Sequence, residues 1–236
     1  MATPTFFHSK LKITDNQLKL SQQESSHALR SRRLTVGDEI NVINGTGLIA
    51  TCILGTSEGR QLSVSVVSST QVEKPRNSLS IAVAVPKGDR QRTMVDMLTQ
   101  LGVQQIFPLQ CEYSIAKFKS NTHEKWLRTA IEAGKQSHNP WLPLIHDVFT
   151  IPEILQYLNE QDNIGGYYAD AQGEWFSNVA VQSAGLLVCI GPEGGFSKIE
   201  TDTFMQSGMQ AIRLSSAILR TETAAVSFAA QAQKAW

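Results

Sequence analysis

The chain has 236 residues, of which 42% are hydrophobic and 18% charged, and its formal net charge is zero. Such a composition is that of an ordinary folded protein with one large domain, or with a small and a medium domain, and it excludes a disordered or fibrous chain. No apolar run reaches the roughly 18 residues of a membrane span, and the amino terminus resembles neither a signal nor a transit peptide.

The cysteines and the charges narrow the class further. Cys52, Cys111 and Cys189 are isolated, which excludes a recognisable zinc site and favours a reducing cytoplasm. The net charge is +2 over residues 1–74, +3 over 75–150 and −5 over 151–236. Phosphate contacts, if the chain binds nucleic acid, are therefore expected in the first two thirds. Imbalances this small fit solvated faces equally well.

Residues 1–72 have the pattern of a small β-rich domain. Phe6-Phe7 and Leu11–Ile13 are typical of edge strands, and three longer strand-like runs follow. Turn signals at Asn44-Gly45 and Glu58-Gly59 separate the runs, which are 39–43, 48–54 and 62–67. Together with one helix these strands predict a small barrel.

That helix is predicted over Gln22–Arg33, and its end is basic. Arg30, Arg32 and Arg33 follow His27 within about one and a half turns, a set that can grip a phosphate backbone. The alternative is a solvated helix end whose cations suit the helix dipole. Spacing alone does not separate the two.

A polar, proline-broken stretch, Gln71–Ser78, predicts a linker, and the pattern changes after it. Buried-strand runs now alternate with helices of ten or more residues, which is typical of a parallel α/β sheet. The strands are expected at 79–85, 106–109, 166–169 and 186–190, and the helices at 90–101 and 123–136. The predicted domains are therefore 1–72 and 73–236.

The last of these strands opens the stretch richest in chemistry. Leu186–Ile190 stops at a glycine loop, 191–195, and Ser197 with Glu200 forms a capping box for a short helix that ends near Gly208. A second short strand, Ile212–Leu214, leads into another loop, 215–220. Thr221 or Thr223 is then expected to cap a final helix, Ala224–Trp236.

These two loops lie at the carboxyl ends of buried strands, where open α/β sheets bind ligands. The glycine loop lacks the Gly-Lys-Ser/Thr ending of a phosphate-binding loop and the spacing of a dinucleotide-binding turn. A tight turn without a ligand is the alternative. Arg220 and Glu222 beside a helix start favour a functional site, because packing does not require them.

The same segments resemble a known family. Ile190–Gly195 and Ile218–Ala224 are similar to the paired signature of the ribosomal RNA small-subunit methyltransferase E family, of the SPOUT class of knotted methyltransferases. Further similarities follow in the right order along nearly the whole chain: His27–Arg30, Val36–Asp38, Lys87–Arg90, Leu101–Val103 and Lys135–Ser137.

The resemblance implies a PUA-like RNA-binding barrel followed by a parallel-sheet methyltransferase domain with a carboxyl-terminal trefoil knot. Nothing in the pattern itself predicts a knot, since knots are very rare. It also implies S-adenosylmethionine as the cofactor and no metal. Cofactor contacts are expected at Gly191, Gly194, Gly195, Leu214, Ser215, Ile218 and Leu219, with core packing as the alternative for Ile218 and Leu219.

The implied reaction is methylation of a uridine at ring nitrogen N3 in the decoding region of 16S rRNA. Arg220 is the candidate for stabilising the uridine anion, because a guanidinium is always charged and donates paired hydrogen bonds. Glu222 is the candidate base or the group that orients the arginine. The two side chains could instead simply pair with each other. Lys87 and Arg90 join His27, Arg30, Arg32 and Arg33 as candidate RNA contacts.

The sequence also departs from the family pattern. His138-Asn139 stands where many members have Gly-Arg, Lys135 where Glu is common, and Met97 and Gln100 where Lys and Glu are frequent. Lys135 and His138 are expected either to contact phosphates or only to end their helix before Asn139-Pro140.

Three kinds of protein fit the sequence. The first is a homodimeric RNA methyltransferase, with sites completed across the dimer interface and a last helix of small residues that permits close packing. The second is a non-catalytic RNA-binding or ribosome-assembly factor, which the intact loop motifs disfavour. The third is an unrelated enzyme for a small nucleotide or acyl substrate, which residues 1–74 disfavour.

Overall fold

The computed structural model describes residues 3–234, and the chain divides into two compact units. The first unit comprises the chain up to Lys74 together with Ile131–Leu142. The second comprises Pro75–Ala130 and the chain from Pro143 onwards. The segment Ile131–Leu142 is thus assigned by its contacts to a unit that is distant from it in sequence.

The first unit is built on a five-stranded mixed sheet with the strand order β1-β3-β4-β5-β2. β1 runs parallel to β3 and the other neighbours are antiparallel. Its strands are β1 (Thr5–Phe7), β2 (Gln17–Lys19), β3 (Glu39–Ile43), β4 (Leu48–Glu58) and β5 (Gln61–Gln71). Alternate apolar side chains of these strands enclose one hydrophobic core, which includes Phe6, Ile40 and Leu54.

The strand expected at Leu11–Ile13 is absent from the described structure, and that prediction was wrong. The segment forms turns instead, because the Leu11 N–H donates to the His8 carbonyl and the Lys12 N–H to the Asp15 carboxylate. Leu11 is buried while Ile13 is exposed, so the apolar pair does not mark a strand face.

The predicted basic helix is shorter than expected. α1 (Gln22–Ser26) begins at Ser21, whose hydroxyl accepts a hydrogen bond from the Glu24 N–H, and continues as a π-helical turn over His27–Ser31. Arg33 lies outside the helix with a positive φ of 56°. π-helical turns are rare and occur often at functional sites.

The second unit contains a seven-stranded parallel sheet with the order β12-β10-β11-β6-β7-β8, and with β9 also paired to β7. Its strands are β6 (Ser78–Ala84), β7 (Gln105–Gln110), β8 (Leu144–Ile145), β9 (Phe149–Thr150), β10 (Ile164–Trp175), β11 (Gly185–Ile190) and β12 (Gln210–Arg213). The helices after α1 are α2 (Arg90–Gln100), α3 (Ser120–Ser137), α4 (Ile151–Asn159), α5 (Lys198–Gln206) and α6 (Thr221–Ala232). The predicted parallel α/β sheet is therefore confirmed.

β11 shows why this sheet is covered on both sides. Leu186, Val188 and Ile190 point into a core that α2 and α6 share, whereas Leu187 and Cys189 point into a core with α4 and α5. Every residue of β11 is buried, which matches its continuous apolar run. Burial of each large apolar side chain contributes about 1.5–3 kcal/mol.

The last helix differs from its prediction at both ends. α6 begins at Thr221 with Arg220 at the N-cap position, so neither Thr221 nor Thr223 caps it, and it ends at Ala232. Residues 235–236, which the prediction included, lie outside the described residues. The small residues expected at a dimer interface are packed in the unit's own core, where Ala225, Ala229 and Ala232 are fully buried.

Two further features concern ligands and membranes. Over residues 3–234, no helix combines the length and the apolar character that a membrane crossing requires. The same part of the chain holds no group of three or more histidine, cysteine or acidic side chains placed to bind a metal ion.

Candidate active site at the carboxyl edge of the parallel sheet

A cleft of about 290 Å³ lies where β10, β11 and β12 end and α6 begins. Neighbouring parallel strands bring their carboxyl ends to the same edge, so three loops that are distant in sequence meet there. The lining residues are Ala169, Asp170, Ala171, Ile190, Gly191, Pro192, Glu193, Gly195, Phe196, Thr201, Ile212, Arg213, Leu214, Ser215, Ala217, Ile218, Leu219, Thr221 and Ala224. The two loops singled out from the sequence form most of this wall.

The glycine loop after β11 is a tight turn in which the Gly195 N–H donates to the Pro192 carbonyl at 2.8 Å. Gly195 has a φ of +73°, a conformation that residues with a Cβ atom rarely adopt. Gly191 and Gly195 line the cleft, whereas Gly194 faces Tyr113 and does not line it. Six of the seven expected cofactor residues therefore lie on the cleft.

The glycine loop leads into α5 through the capping box that the sequence predicts. The Ser197 hydroxyl accepts from the Glu200 N–H, and Glu200 Oε2 accepts from the Ser197 N–H at 2.8 Å. The other Glu200 oxygen accepts from the Glu112 N–H, also at 2.8 Å. One carboxylate thus anchors the glycine loop to the segment after β7.

The second loop, residues 214–220, is held by Arg213. Its guanidinium donates from Nε to the Ser215 carbonyl at 3.0 Å and from Nη2 to the Ser216 carbonyl at 3.2 Å. The same group lies 4.8 Å from the centre of the Trp175 ring, a cation–π distance. Ile218 is 93% exposed at the edge of the cleft, so the loop presents an apolar side chain to solvent.

The third loop was missed from the sequence. Ala169 and Glu174 both pair with Ile212, so residues 170–173 bulge out of β10, and Asp170 and Ala171 become part of the cleft wall. The available signal was their position just after a buried strand. Thr201 and Arg213 line the cleft as well and were also missed.

The two candidate catalytic residues are not partners of each other. Arg220 is exposed at the N-cap of α6, and no ion pair joins it to Glu222 among the described residues. Glu222 lies instead beside Arg90, with 3.9 Å between Oε1 and Nε. The simple Arg220–Glu222 pair considered from the sequence is therefore wrong.

Arg90 also contacts the glycine loop, because its Nη1 lies 3.3 Å from Oε1 of Glu193. Lys87, three residues earlier, is exposed. Of the two candidate RNA contacts in this segment, one is thus engaged by carboxylates at the cleft and the other is open to solvent.

In the first unit, Arg30, Arg32 and Arg33 are exposed, whereas His27 is half-buried with its ring edge against Phe6. The exposed arginines match the predicted basic surface. Their partners in RNA binding, if any, are addressed below as a proposal.

Lys135 was one of the alternatives for a phosphate contact, and its burial argues against that role. Its Nζ lies 2.8 Å from carboxylate oxygens of both Glu24 and Glu132, and the residue is only 3% exposed. His138 has a φ of +54° just after α3, and its Nδ1 lies 2.8 Å from the Thr5 hydroxyl. The pair ends the helix, which was the other alternative.

The cysteines do not form a nucleophilic site. Burial raises the pKa of Cys52 to about 11 and that of Cys111 to about 12, where the nearby Glu200 carboxylate adds to the effect. Burial also raises the pKa of Cys189 well above its ordinary value. All three are protonated at neutral pH and are poor nucleophiles.

Comparisons with known proteins agree with this architecture. A family model described as an RNA methyltransferase domain matches residues 72–233, and one described as an RNA methyltransferase PUA domain matches residues 20–67. The chain is 30% identical to ribosomal RNA small subunit methyltransferase E of Aquifex aeolicus over 90% of this chain and 92% of that protein. It is 29% identical to the protein of the same name from Rickettsia conorii, over 96% and 93%.

A solved structure shares the fold. The ribosomal RNA small subunit methyltransferase E from Neisseria gonorrhoeae, bound to S-adenosyl methionine, superposes with a TM-score of 0.88 at 21% identity, covering 100% of this chain and 98% of that one. The expected architecture, a PUA-like domain followed by a SPOUT-class α/β domain, is thereby confirmed. With the domain match over most of its length and the 30% identical relative, the chain belongs to the ribosomal RNA small subunit methyltransferase E family.

Proposed function

We propose that the protein uses S-adenosylmethionine to methylate ring nitrogen N3 of a uridine in the decoding region of 16S rRNA. The observation that carries this proposal is the cleft itself. The two loops with the family signature meet there, and the Thr221 hydroxyl joins them through a 3.0 Å hydrogen bond to the Gly191 carbonyl. Relatives over nearly the whole chain are named as methyltransferases of this RNA.

The residues of the cleft fit the cofactor. Its volume of about 290 Å³ is at the lower end of the range for small-molecule sites, about 300–1,000 Å³. Leu214, Ile218 and Leu219 supply an apolar wall for an adenine ring, while Gly191 and Gly195 leave backbone groups accessible. When bound, S-adenosylmethionine supplies a methyl group activated by its positive sulfur.

Arg220 is proposed to stabilise the uridine anion. N3 of uridine carries a proton and is normally paired, so the base must be unstacked and must lose that proton for methylation. Arg220 lies between the cleft residues Leu219 and Thr221, and its side chain is exposed to an incoming base. A guanidinium there can donate two parallel hydrogen bonds to the deprotonated ring.

Glu222 is proposed as the group that takes the proton. Its position in the first turn of α6 favours the carboxylate form through the helix dipole. Its side chain is 14% exposed, so one end of the carboxylate remains within reach of solvent.

RNA contacts are proposed for the exposed basic residues. Arg30, Arg32 and Arg33, with His27, present cations on the first unit, and Lys87 does so on the second. Phosphate contacts of this kind position an RNA without reading its sequence. We also propose that the active form is a homodimer and that the second unit carries the family's trefoil knot.

The test is nucleoside mass spectrometry of 16S rRNA after incubation of unmodified small ribosomal subunits with the protein and S-adenosylmethionine. We expect new 3-methyluridine with the wild type and little with Arg220→Ala. Arg128→Ala is the matched control, because Arg128 does not line the cleft and pairs with Glu124 on α3.

Each negative result has its own meaning. Cofactor binding without methylated uridine would contradict the target assignment and would direct the search to another base or RNA. A protein that also fails to bind the cofactor would contradict the methyltransferase proposal, and a non-catalytic RNA-binding factor would then be the better description.

A further inference from the structure

Arg90 occupies an unfavourable place for a cation and is compensated by two carboxylates. It is the first residue of α2, where the positive end of the helix dipole repels a positive side chain. The first turn of α2 contains no acidic residue that could offset this. The offset comes from Glu193, 3.3 Å away in the glycine loop, and from Glu222, 3.9 Å away on α6.

The sheet order explains why these three residues meet. β6 and β11 are adjacent parallel strands, paired from Ser78–Gly185 to Val83–Ile190, so the loops that follow them emerge side by side. Arg90 follows β6 and Glu193 follows β11. Glu222 reaches the same place because the Thr221 hydroxyl ties the start of α6 to Gly191.

Glu222 has one oxygen engaged and one without a partner. Oε1 faces Arg90, whereas Oε2 is buried and has no hydrogen-bond partner among the described residues. A buried acceptor that is left unsatisfied costs about 1–3 kcal/mol. A donor from a bound substrate would remove that cost.

We propose that Arg90 is the positioning residue that orients Glu222 to accept the N3 proton of the target uridine. This inference rests on the proposed function. Glu222 takes the proton and becomes a neutral carboxylic acid, and the electron pair left on N3 forms the bond to the methyl carbon. The pair of the broken carbon–sulfur bond stays on sulfur, and Glu222 returns its proton to solvent.

The charges distinguish this role from an RNA contact. Arg90 with Glu193 and Glu222 forms a cluster with one positive and two negative side chains, which would not attract a phosphate. The sequence alone favoured Arg90 as an RNA contact, because neither carboxylate is near it in the chain.

The test is a double-mutant cycle with Arg90→Met, Glu222→Gln and both changes together, read as kcat and as KM for small ribosomal subunits. We expect Glu222→Gln to lower kcat about 100-fold, the lower end of the contribution of general acid–base catalysis. Arg90→Met should lower kcat about tenfold with KM unchanged. In the Glu222→Gln background it should have little further effect, because it acts through that carboxylate.

Controls separate positioning from folding. Arg92→Met makes the same chemical change on an exposed side chain of the same helix and should leave kcat unchanged. Arg90→Lys keeps the charge but not the planar fork, and should recover part of the rate. Cofactor binding by calorimetry and the unfolding temperature should stay close to wild type in Arg90→Met.

Three results would overturn the inference. An unchanged kcat in Arg90→Met would exclude a positioning role. An equal loss in both backgrounds would show that Arg90 does not act through Glu222. A raised KM with a weaker salt dependence would assign Arg90 to a phosphate contact. If the wild type itself formed no 3-methyluridine, the proposed function would fail first.

Discussion

The hydroxyl of Thr221 donates a 3.0 Å hydrogen bond to the carbonyl oxygen of Gly191, across 30 positions of the sequence. Thr221 is buried and is the first residue of α6, while Gly191 begins the glycine loop after β11. The bond fixes the distance between the two loops that form most of the cleft wall.

Thr221→Val should therefore loosen the cleft. The change keeps the shape of the side chain but leaves the Gly191 carbonyl without its donor, which costs about 1–3 kcal/mol. We expect weaker binding of S-adenosylmethionine by calorimetry and a lower unfolding temperature. Thr221→Ser should retain both, and Thr223→Val, at an exposed position, is the control. Equal effects of the two valine changes would contradict a special role for this bond.

Arg213→Lys tests the support of the second loop. A lysine has a single point of attachment and cannot donate to both the Ser215 and the Ser216 carbonyl while it lies over Trp175. We expect the dissociation constant for S-adenosylmethionine to rise about tenfold, equivalent to about 1.4 kcal/mol. Titration calorimetry checks this value. An unchanged constant would show that the loop keeps its shape without the fork.

Lys135→Met tests the buried ion pair of the first unit. It leaves Glu24 as a buried charge without a partner, and such a loss costs about 3–5 kcal/mol. We expect the urea midpoint to fall sharply, and the double change Lys135→Met with Glu24→Met to recover much of the loss. Lys125→Met, exposed on the same helix, should have little effect. A double variant as unstable as the single one would contradict this account.

Alkaline pH should destabilise the fold through Cys111. Burial raises the pKa of this thiol from 9.0 to about 12, so between these values the unfolded chain loses a proton that the folded chain keeps. The free energy of unfolding therefore falls as pH rises through this window. Urea unfolding at pH 8 and pH 10.5 should show a smaller difference for Cys111→Ala than for the wild type. Identical differences would exclude a contribution from Cys111.

Local patterns predicted the elements that carry their own signal. The apolar run of β11 and the Ser197–Glu200 capping box are both present as expected, because burial on two faces and a reciprocal cap depend on neighbouring residues. α4 was missed although Thr150 and Glu153 form a capping box with Pro152 between them. That signal was in the sequence and was overlooked.

Relationships between distant segments were not predictable in the same way. The Arg90–Glu222 contact depends on the adjacency of β6 and β11, which periodicity does not reveal. The contacts of residues 131–142 with the first unit depend on the buried Lys135–Glu24 pair, and Lys135 in a helix end gives no sign of burial. Tertiary partners decided both cases.

The bulge of β10 has a consequence for variation among cofactor sites. Ala169 and Glu174 meet the same residue of β12, so the chain leaves the sheet and returns to it at one point. Residues 170–173 can therefore change in length or side chain while the strand register on either side stays as it is. The wall of the cleft that contains Asp170 is free to diverge without a cost to the sheet that supports it.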